Sequence, residues 1–209
     1  RGQQAVRGVS FTIASGEILG FGGVDGNGQI ELAEALAGVR PPAAPDALSI
    51  RTPSVGYVPE DRHRDGLALE MSVLDNLLIG GHGRPELRTG ALLSAKRVRA
   101  WAIDLVNCYG VKIGSLGDPA GSLSGGNQQK IVVGRALDGA PGALVFVNPT
   151  RGLDVHATEF VRRQILAARE RGAAIALFST DLDELQLMSD RIVYMSRGEL
   201  ASHLLGEAS

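Results

Sequence analysis

A glycine-rich stretch near the amino terminus holds the first residues that could do chemistry. It reads Gly23-Val24-Asp25-Gly26-Asn27-Gly28-Gln29-Ile30, between a predicted strand and a predicted helix. Such a loop can bind phosphate because bare backbone N–H groups and the positive end of the helix face the anion. A working phosphate loop continues with Lys and then Ser or Thr. Here those positions hold Gln29 and Ile30, so the loop alone fits either a phosphate site or a plain tight turn.

A second stretch places a hydroxyl and two glycines at the start of another predicted helix. It reads Leu123-Ser124-Gly125-Gly126-Asn127-Gln128. The Ser124 hydroxyl and the first N–H groups of the helix can hold an anion that is presented from outside. A plain N-cap followed by flexible glycine is the alternative interpretation.

Short apolar runs alternate with helix-period segments along the chain, which is typical of an α/β fold around a largely parallel sheet. Strands are predicted at 17–22, 55–58, 143–147 and 173–178, with a strand pair around Arg197-Gly198. Helices are predicted at 28–37, within 72–110 on both sides of a loop at 80–90, and at 126–137, 155–171 and 181–189. Ser72 and Ser94 are predicted N-caps, and the proline-rich stretch 40–48 is a predicted loop.

Composition describes a folded globular chain without an obvious charged partner. Of 209 residues, 44% are hydrophobic and 21% charged, and the formal net charge is −2. Glycine is enriched, at 28 residues, close to twice the ordinary share of ~7%. The longest apolar run, 173–178, is far shorter than the ~20 residues of a membrane-spanning helix. Because the chain starts at Arg1 rather than Met, we expect it to be part of a longer protein.

Cysteine and histidine usage gives no sign of a disulfide or metal site. Cys108 is the single cysteine, and we expect it to be a small buried side chain. The four histidines are dispersed, whereas zinc sites need clustered ligands. We therefore predict no metal site formed by this chain.

The order of several motifs along nearly the whole chain resembles that of ATP-binding cassette (ABC) proteins. The string LSGGNQQK at 123–130 resembles the ABC signature motif. The loop at 23–30 falls at Walker A, VGYVPEDRHRD at 55–65 at the Q-loop, and ALVFVNPTRGLD at 143–154 at Walker B and the D-loop. Ser179-Thr180-Asp181 falls at the switch region. PEDR, PTRGLD and NQQK together resemble the second cassette of tandem-cassette importers of monosaccharides and nucleosides.

The resemblance implies the fold and the domain organisation. We expect a P-loop NTPase-like ABC cassette with a mostly parallel core sheet, a small β part and a helical subdomain. Residues 1–209 would form a single nucleotide-binding domain, with a core at 1–71 and 111–209 and the helical subdomain at about 72–130.

The resemblance also implies that the chain's own Walker site is degenerate. Gln29 and Ile30 replace the phosphate-binding Lys and the Mg²⁺-binding hydroxyl. Val147, Asn148 and Thr180 replace the Walker B Asp, the general-base Glu and the switch His. Loss of a general base typically lowers a rate by ~10²–10⁴, so hydrolysis in this site should be negligible. The expected nucleotide-binding positions are 23–30 together with Glu60, which replaces the Q-loop Gln.

Two further motifs match the family pattern and imply a role in a partner's site. In ABC dimers each nucleotide lies between the Walker loop of one cassette and the signature of the other. Ser124, Gly125 and Gly126, with the D-loop residues Gly152, Leu153 and Asp154, would therefore complete the partner's hydrolytic site. The implied cofactor is ATP, as Mg-ATP in that shared site, with weak or Mg²⁺-independent binding in the chain's own site.

Partners and location follow from the same resemblance. The expected partners are a first cassette, in the same polypeptide or as a dimer mate, transmembrane permease subunits and, indirectly, a substrate-binding protein. No nucleic-acid partner is expected. The expected location is peripheral, on the cytoplasmic face of the cell membrane. The family usually supplies an aromatic ring for adenine stacking before the first strands. Because Phe11 is predicted to belong to a strand, we expect the stacking residue to lie in a segment that precedes this chain.

Two alternatives to a degenerate importer cassette stay open from the sequence. One is a soluble ABC ATPase of translation or DNA repair, which the missing catalytic residues and the charge of −2 disfavour. The other is a non-hydrolytic nucleotide-binding regulatory module, or a glycine-rich α/β binding module unrelated to ABC proteins. The residues that precede Arg1 in the complete protein would separate these hypotheses.

Overall fold

A six-stranded sheet lies at the centre of the chain in the computed structural model, which describes residues 5–42 and 48–201. Its order is β2-β5-β6-β1-β7-β8, and all neighbours are parallel except β7 and β8. The strands are β1 (Ile18–Gly22), β2 (Val55–Val58), β5 (Ala143–Val147), β6 (Ala174–Phe178), β7 (Arg191–Ser196) and β8 (Glu199–Ala201). A separate antiparallel hairpin consists of β3 (Arg88–Thr89) and β4 (Leu92–Leu93).

Six α-helices accompany the sheet in the described ranges. They are α1 (Gln29–Leu36), α2 (Val73–Gly81), α3 (Ala95–Cys108), α4 (Gly125–Leu137), α5 (Val155–Glu170) and α6 (Leu182–Met188). A π-helix covers Arg62–Gly66, and short 3₁₀ turns cover Pro85–Leu87 and Ala120–Ser122. The architecture is the α/β cassette with a mostly parallel core sheet, a small antiparallel part and helices that the sequence predicts.

The central strands are buried on both faces, and their side chains alternate between two apolar clusters. On β5, Leu144 and Phe146 pack into the larger cluster, which includes residues of α2 to α6. Val145 and Val147 point the other way, toward α1 and the segment before β1. Phe21 and Phe178 stack at 4.4 Å in this second cluster. Both faces of the sheet are therefore covered, which fixes where the strand ends lie.

Most helix ends lie where the sequence predicts them, with the expected caps. The side chains of Ser72, Asp154 and Asp181 accept hydrogen bonds from first-turn N–H groups. Gly110 follows α3 with φ +58°, which glycine adopts readily. Ser94 occupies the N-cap position of α3, but its side chain makes no capping hydrogen bond.

Three features differ from the sequence predictions. Phe11 lies in an irregular segment rather than a strand, and packs edge-on against Phe21 at 5.1 Å. Cys108 is exposed, because it lies on the outer side of the last turn of α3 beside the buried Leu105 and Val106. The hairpin β3–β4 spans 88–93, so β3 lies at the end of the predicted loop 80–90 and β4 lies just beyond it.

Part of the predicted loop at 40–48 lies outside the described residues, namely 43–47. Among the helices in the described ranges, none is long and apolar enough to span a membrane.

Candidate functional site

A cavity of about 180 Å³ lies where the loops after β1, β5 and β6 meet at the carboxyl ends of these parallel strands. The loop after β2 contributes one wall. The lining residues are Phe21, Gly23, Asp25, Gly26, Gln29, Ile30, Glu60, Val147, Asn148, Arg151, Phe178, Ser179 and Thr180. Edges of this kind are the usual ligand sites of open α/β sheets.

The glycine-rich loop closes on itself through Gln29. The Gln29 Nε2 donates to the carbonyl of Val24 at 2.9 Å, and Gln29 Oε1 accepts from the N–H of Asn27 at 3.0 Å. Gly23 and Gly26 have φ of +138° and +84°, which only glycine adopts without strain. The side-chain amide therefore binds a backbone N–H of the kind that a phosphate oxygen would need.

The turn between β7 and β8 also forms hydrogen bonds with this loop. The Asn27 Oδ1 accepts from the N–H of Arg197 at 2.7 Å, and its carbonyl accepts from the N–H of Gly198 at 3.0 Å. A side chain at Gly28 would come within 2.6 Å of the carbonyl of Ala5. The loop is thus fixed by contacts within the protein.

On the opposite wall, Glu60 joins two loops. Its Oε1 accepts from Asn148 Nδ2 at 2.8 Å and forms an ion pair with Arg151. Asn148 Oδ1 in turn accepts from the N–H of Thr180 at 2.9 Å. Asn148 has φ +42°, a conformation that Asn tolerates better than most residues. Glu60, Asn148 and Thr180 are therefore linked to one another by hydrogen bonds.

The signature turn lies outside this cavity, since none of residues 123–128 lines it. Ser124 is exposed and caps α4, with its Oγ facing the N–H of Asn127. Asn127 Oδ1 accepts from the N–H of Lys112 at 2.9 Å. Gln128 is buried, and its Oε1 lies 2.8 Å from the Nε2 of His63 in the π-helix. The turn is a hydrogen-bonded helix start that does not line the cavity.

The segment 149–154 connects the cavity wall to the signature helix. Gln129 of α4 is buried and donates from Nε2 to the carbonyl of Pro149 at 2.7 Å. Glu184 is fully buried and accepts from the hydroxyl of Thr150 at 2.8 Å. Asp154 caps α5, and a side chain at Gly126 would contact Ala157 at 3.3 Å. The segment and the signature turn are therefore packed as one unit.

Titration shifts near the site come from burial and local hydrogen bonds. Burial, with the charge of Glu34, raises the pKa of the Tyr57 phenol on β2 to about 12. The N–H groups of Arg64 and His63 hold the pKa of the Asp61 carboxyl below its ordinary value. The described ranges contain no group of His, Cys, Asp and Glu side chains that could hold a metal ion.

Comparison with known protein families identifies the architecture. The model of the family described as ABC transporter matches residues 6–151. The chain belongs to the ABC transporter family. The matched region covers the glycine-rich loop, the Q-loop, the signature turn and strand 143–147, whereas residues 152–154 and 179–181 lie beyond it.

Curated relatives of this cassette are import proteins. It is 38% identical over 215 residues to the nucleoside import ATP-binding protein NupA of Lactococcus lactis subsp. cremoris. It is 35% identical over 212 residues to the guanosine import ATP-binding protein NupO of Bacillus subtilis. Each alignment covers 96% of this chain and 42% of the relative. The cassette thus spans less than half the length of these relatives.

Solved structures share the fold of this cassette. A dimeric ATP-binding cassette in a post-hydrolysis state, bound to ADP and Pi, superposes with a TM-score of 0.79 at 20% identity. That alignment covers 100% of this chain and 95% of the other. An ATP-binding subunit of an ABC transporter gives a TM-score of 0.77, also at 20% identity, covering 97% and 85% of the two chains.

The structure brings one predicted group of residues together and keeps the other apart from it. Most of the loop at 23–30 lines the cavity with Glu60, Val147, Asn148 and Thr180, whereas residues 123–128 and 152–154 do not. Arg151, Gln129 and Glu184 were not selected from the sequence. Arg151 and Gln129 lie inside the quoted strings PTRGLD and LSGGNQQK, but no charge or spacing rule predicts their hydrogen-bond partners.

Proposed function

We propose that this chain is an ATP-binding cassette domain that energises import of a nucleoside or a simple sugar. In this role its own Walker site is degenerate and its signature turn completes the ATP hydrolysis site of a partner cassette. The names of the relatives support the transport class, because they are nucleoside, guanosine and glucose import ATP-binding proteins. The wide range of these cargoes leaves the choice between nucleoside and sugar to experiment.

The observation that carries the proposal is the contrast between the two sites. In the cavity, Gln29 binds the loop N–H of Asn27, and Glu60 binds Asn148 and Arg151. The signature turn instead presents the exposed Ser124 and the first N–H groups of α4 at the surface. Those N–H groups have no partner within a helix, and they sit at its positive end.

The cavity fits a magnesium triphosphate poorly. Of the residues lining it, Asp25 and Glu60 are acidic, and Arg151, the one cation in that lining, is paired with Glu60. Ile30 and Val147 offer no oxygen to a metal. Any nucleotide binding in this cavity should therefore be weak and should depend little on Mg²⁺.

The signature turn fits a phosphate held by a partner. When ATP is bound in the shared site, it supplies the phosphoryl group that is hydrolysed. This chain's contribution is to orient that group with the Ser124 hydroxyl and the N–H groups of Gly125 and Gly126, and to exclude water from one side. The partners would be a first cassette, transmembrane permease subunits and, indirectly, a substrate-binding protein, at the cytoplasmic face of the cell membrane.

The matched pair Ser124→Asp and Ser124→Asn tests this role. Asp and Asn are N-caps as good as Ser, so neither change should unfold α4. A carboxylate ~4 Å from a phosphate charge costs about 4 kcal/mol at an effective dielectric of 20, or roughly a thousandfold at 1.4 kcal/mol per tenfold. In the chain assembled with its partner cassette and membrane subunits, ATPase activity should collapse for Ser124→Asp and largely persist for Ser124→Asn.

Two results would contradict the proposal. One is equal activity of the Asp and Asn variants, because a phosphate at this turn must respond to the added charge. The other is full ATPase activity of the purified chain alone, since Asn148 cannot act as a general base at neutral pH.

A further inference from the structure

The segment 149–154 is held in place by protein contacts at both of its ends. At its start, Glu60 accepts from Asn148 and pairs with Arg151. At its end, the Asp154 carboxylate caps α5. These contacts are made by side chains of this chain.

Asn148 connects this segment to the end of β6 and to Glu60. Its N–H donates to the carbonyl of Phe178 at 2.8 Å, its Oδ1 accepts from the N–H of Thr180, and its Nδ2 donates to Glu60. A left-handed residue persists where the surroundings over-determine its conformation. The N–H of Arg151 then donates to the Asn148 carbonyl at 3.1 Å, which starts the turn that leads to Gly152.

The signature helix shares this support. Gln129 of α4 donates to the carbonyl of Pro149. Gly126 lies against the start of α5, and a Cβ atom added to Gly126 would lie 3.9 Å from Asp154 Oδ2. A displacement of residues 149–154 would therefore move the contacts that orient the start of α4. Glu60 lies on a different loop, after β2, so it fixes the segment relative to the sheet.

We propose that Glu60 is a positioning residue, which holds the D-loop segment 149–154 and the signature turn in the arrangement that the partner cassette's hydrolytic site requires. This inference rests on the proposed function, since it assumes that these two elements act in the partner's site. Glu60 exerts its effect through Asn148 and Arg151 and does not touch the reacting phosphate.

Amide hydrogen exchange of the nucleotide-free chain tests the positional part. Glu60→Ala removes the carboxylate acceptor of two hydrogen bonds, one of them from a guanidinium, so amides in 148–154 should exchange at least about tenfold faster. Glu60→Gln keeps an oxygen acceptor and should stay within about threefold of the wild type. Asp65→Asn, which alters the nearby exposed pair with Arg64, should change nothing in 148–154. Unchanged exchange in Glu60→Ala would overturn the inference, and the amides of β5 report any global unfolding.

ATPase activity of the chain assembled with its partner cassette and membrane subunits tests the functional part. We expect Glu60→Ala to lower kcat about tenfold with KM within about twofold, and Glu60→Gln to recover most of kcat. If Ser124→Asp abolishes activity while Glu60→Ala retains the wild-type kcat, this inference fails and the proposed function stands. If Ser124→Asp is as active as Ser124→Asn, the proposed function fails, and with it the functional part of this inference.

Discussion

Single side chains decide what the cavity can bind, and Gln29 is the clearest example. Its amide bridges the carbonyl of Val24 and the N–H of Asn27, so it gives the loop the internal contacts that an anion would otherwise make. A lysine at this position would carry its charge toward the cavity instead. A charge-assisted hydrogen bond contributes ~1.5–3 kcal/mol, which is enough to change binding by more than tenfold.

We therefore expect Gln29→Lys to bind ATP at least about tenfold more tightly than the wild-type chain. Gln29→Met is the matched control, because it keeps the length of the side chain and removes both hydrogen bonds without adding charge. Calorimetric titration, with Mg²⁺ and with EDTA, measures the change. An equal gain in Gln29→Met would show that freeing the loop matters and that the missing charge does not.

Asn148 and Glu60 form a donor and acceptor pair, so the effects of substitutions at the two positions should depend on each other. Asn148→Glu places a second carboxylate at the 2.8 Å contact with Glu60 Oε1, and like charges in a partly solvated site should cost about 1–3 kcal/mol. Glu60→Gln in the same chain restores a neutral partner. Urea unfolding of both single variants and the double variant should give a coupling energy of at least about 1 kcal/mol; additive effects would contradict the pairing.

At the scale of single residues, the sequence predicts which residue stands at each motif position but not the hydrogen bonds that its side chain makes. The replacements at Gln29, Ile30 and Asn148 follow directly from the motif comparison. The hydrogen bonds that the Gln29 and Asn148 side chains make do not, because they depend on loop conformations such as the left-handed Asn148. Cys108 was assigned to the core from its residue type, and the helix face that it occupies turned out to be exposed.

Among the elements, the connection from the π-helix to α2 depends on Asn76. Asn76 is fully buried, and its amide bonds the N–H and carbonyl of Ala68 and the carbonyl of Ser72. The guanidinium of Arg135 in α4 donates to the carbonyls of Gly66 and Asn76. Polar bonds therefore tie the π-helix and α2 to the signature helix.

We expect Asn76→Leu to lower the free energy of unfolding by about 3 kcal/mol, because it leaves buried N–H and carbonyl groups without partners. Ser72→Ala, which removes the exposed N-cap of the same helix, should cost only about 1 kcal/mol. Urea denaturation compares them. A smaller effect of Asn76→Leu than of Ser72→Ala would mean that the connecting loop can relax.

The long elements were predictable and the short ones were not. Strands such as 143–147 and helices such as 155–170 have apolar runs or helix-period patterns long enough to be read from the sequence. The hairpin β3–β4 has two residues per strand, and the π-helix has five residues without a regular apolar period. Tertiary contacts, such as that between His63 and Gln128, stabilise segments of this length.

For the molecule as a whole, Tyr57 links stability to alkaline pH. Its folded-state pKa of about 12 lies above the ordinary value of 10.0 because the phenol is half-buried and near Glu34. Both states hold the proton below pH 10, so Tyr57 adds no pH dependence there. Between pH 10 and 12 only the unfolded state releases it, and stability falls as pH rises.

The loss of stability from pH 9 to pH 11 should therefore be smaller in Tyr57→Phe than in the wild-type chain. Chemical denaturation at the two pH values gives the comparison. The phenolate absorbance of the wild type minus that of the variant should show a midpoint near pH 12. A midpoint near pH 10 would mean that the phenol is solvated in the folded chain.

The hydrogen bond between Asn148 and Glu60 also has an evolutionary consequence. A mutation that restores a glutamate at position 148 meets the carboxylate of Glu60 at once, and a lone change at position 60 returns no catalytic group. Under the proposed function, a lineage that gains hydrolysis in this cassette must change both positions. We therefore expect related sequences that carry a glutamate at position 148 to carry a neutral residue at position 60.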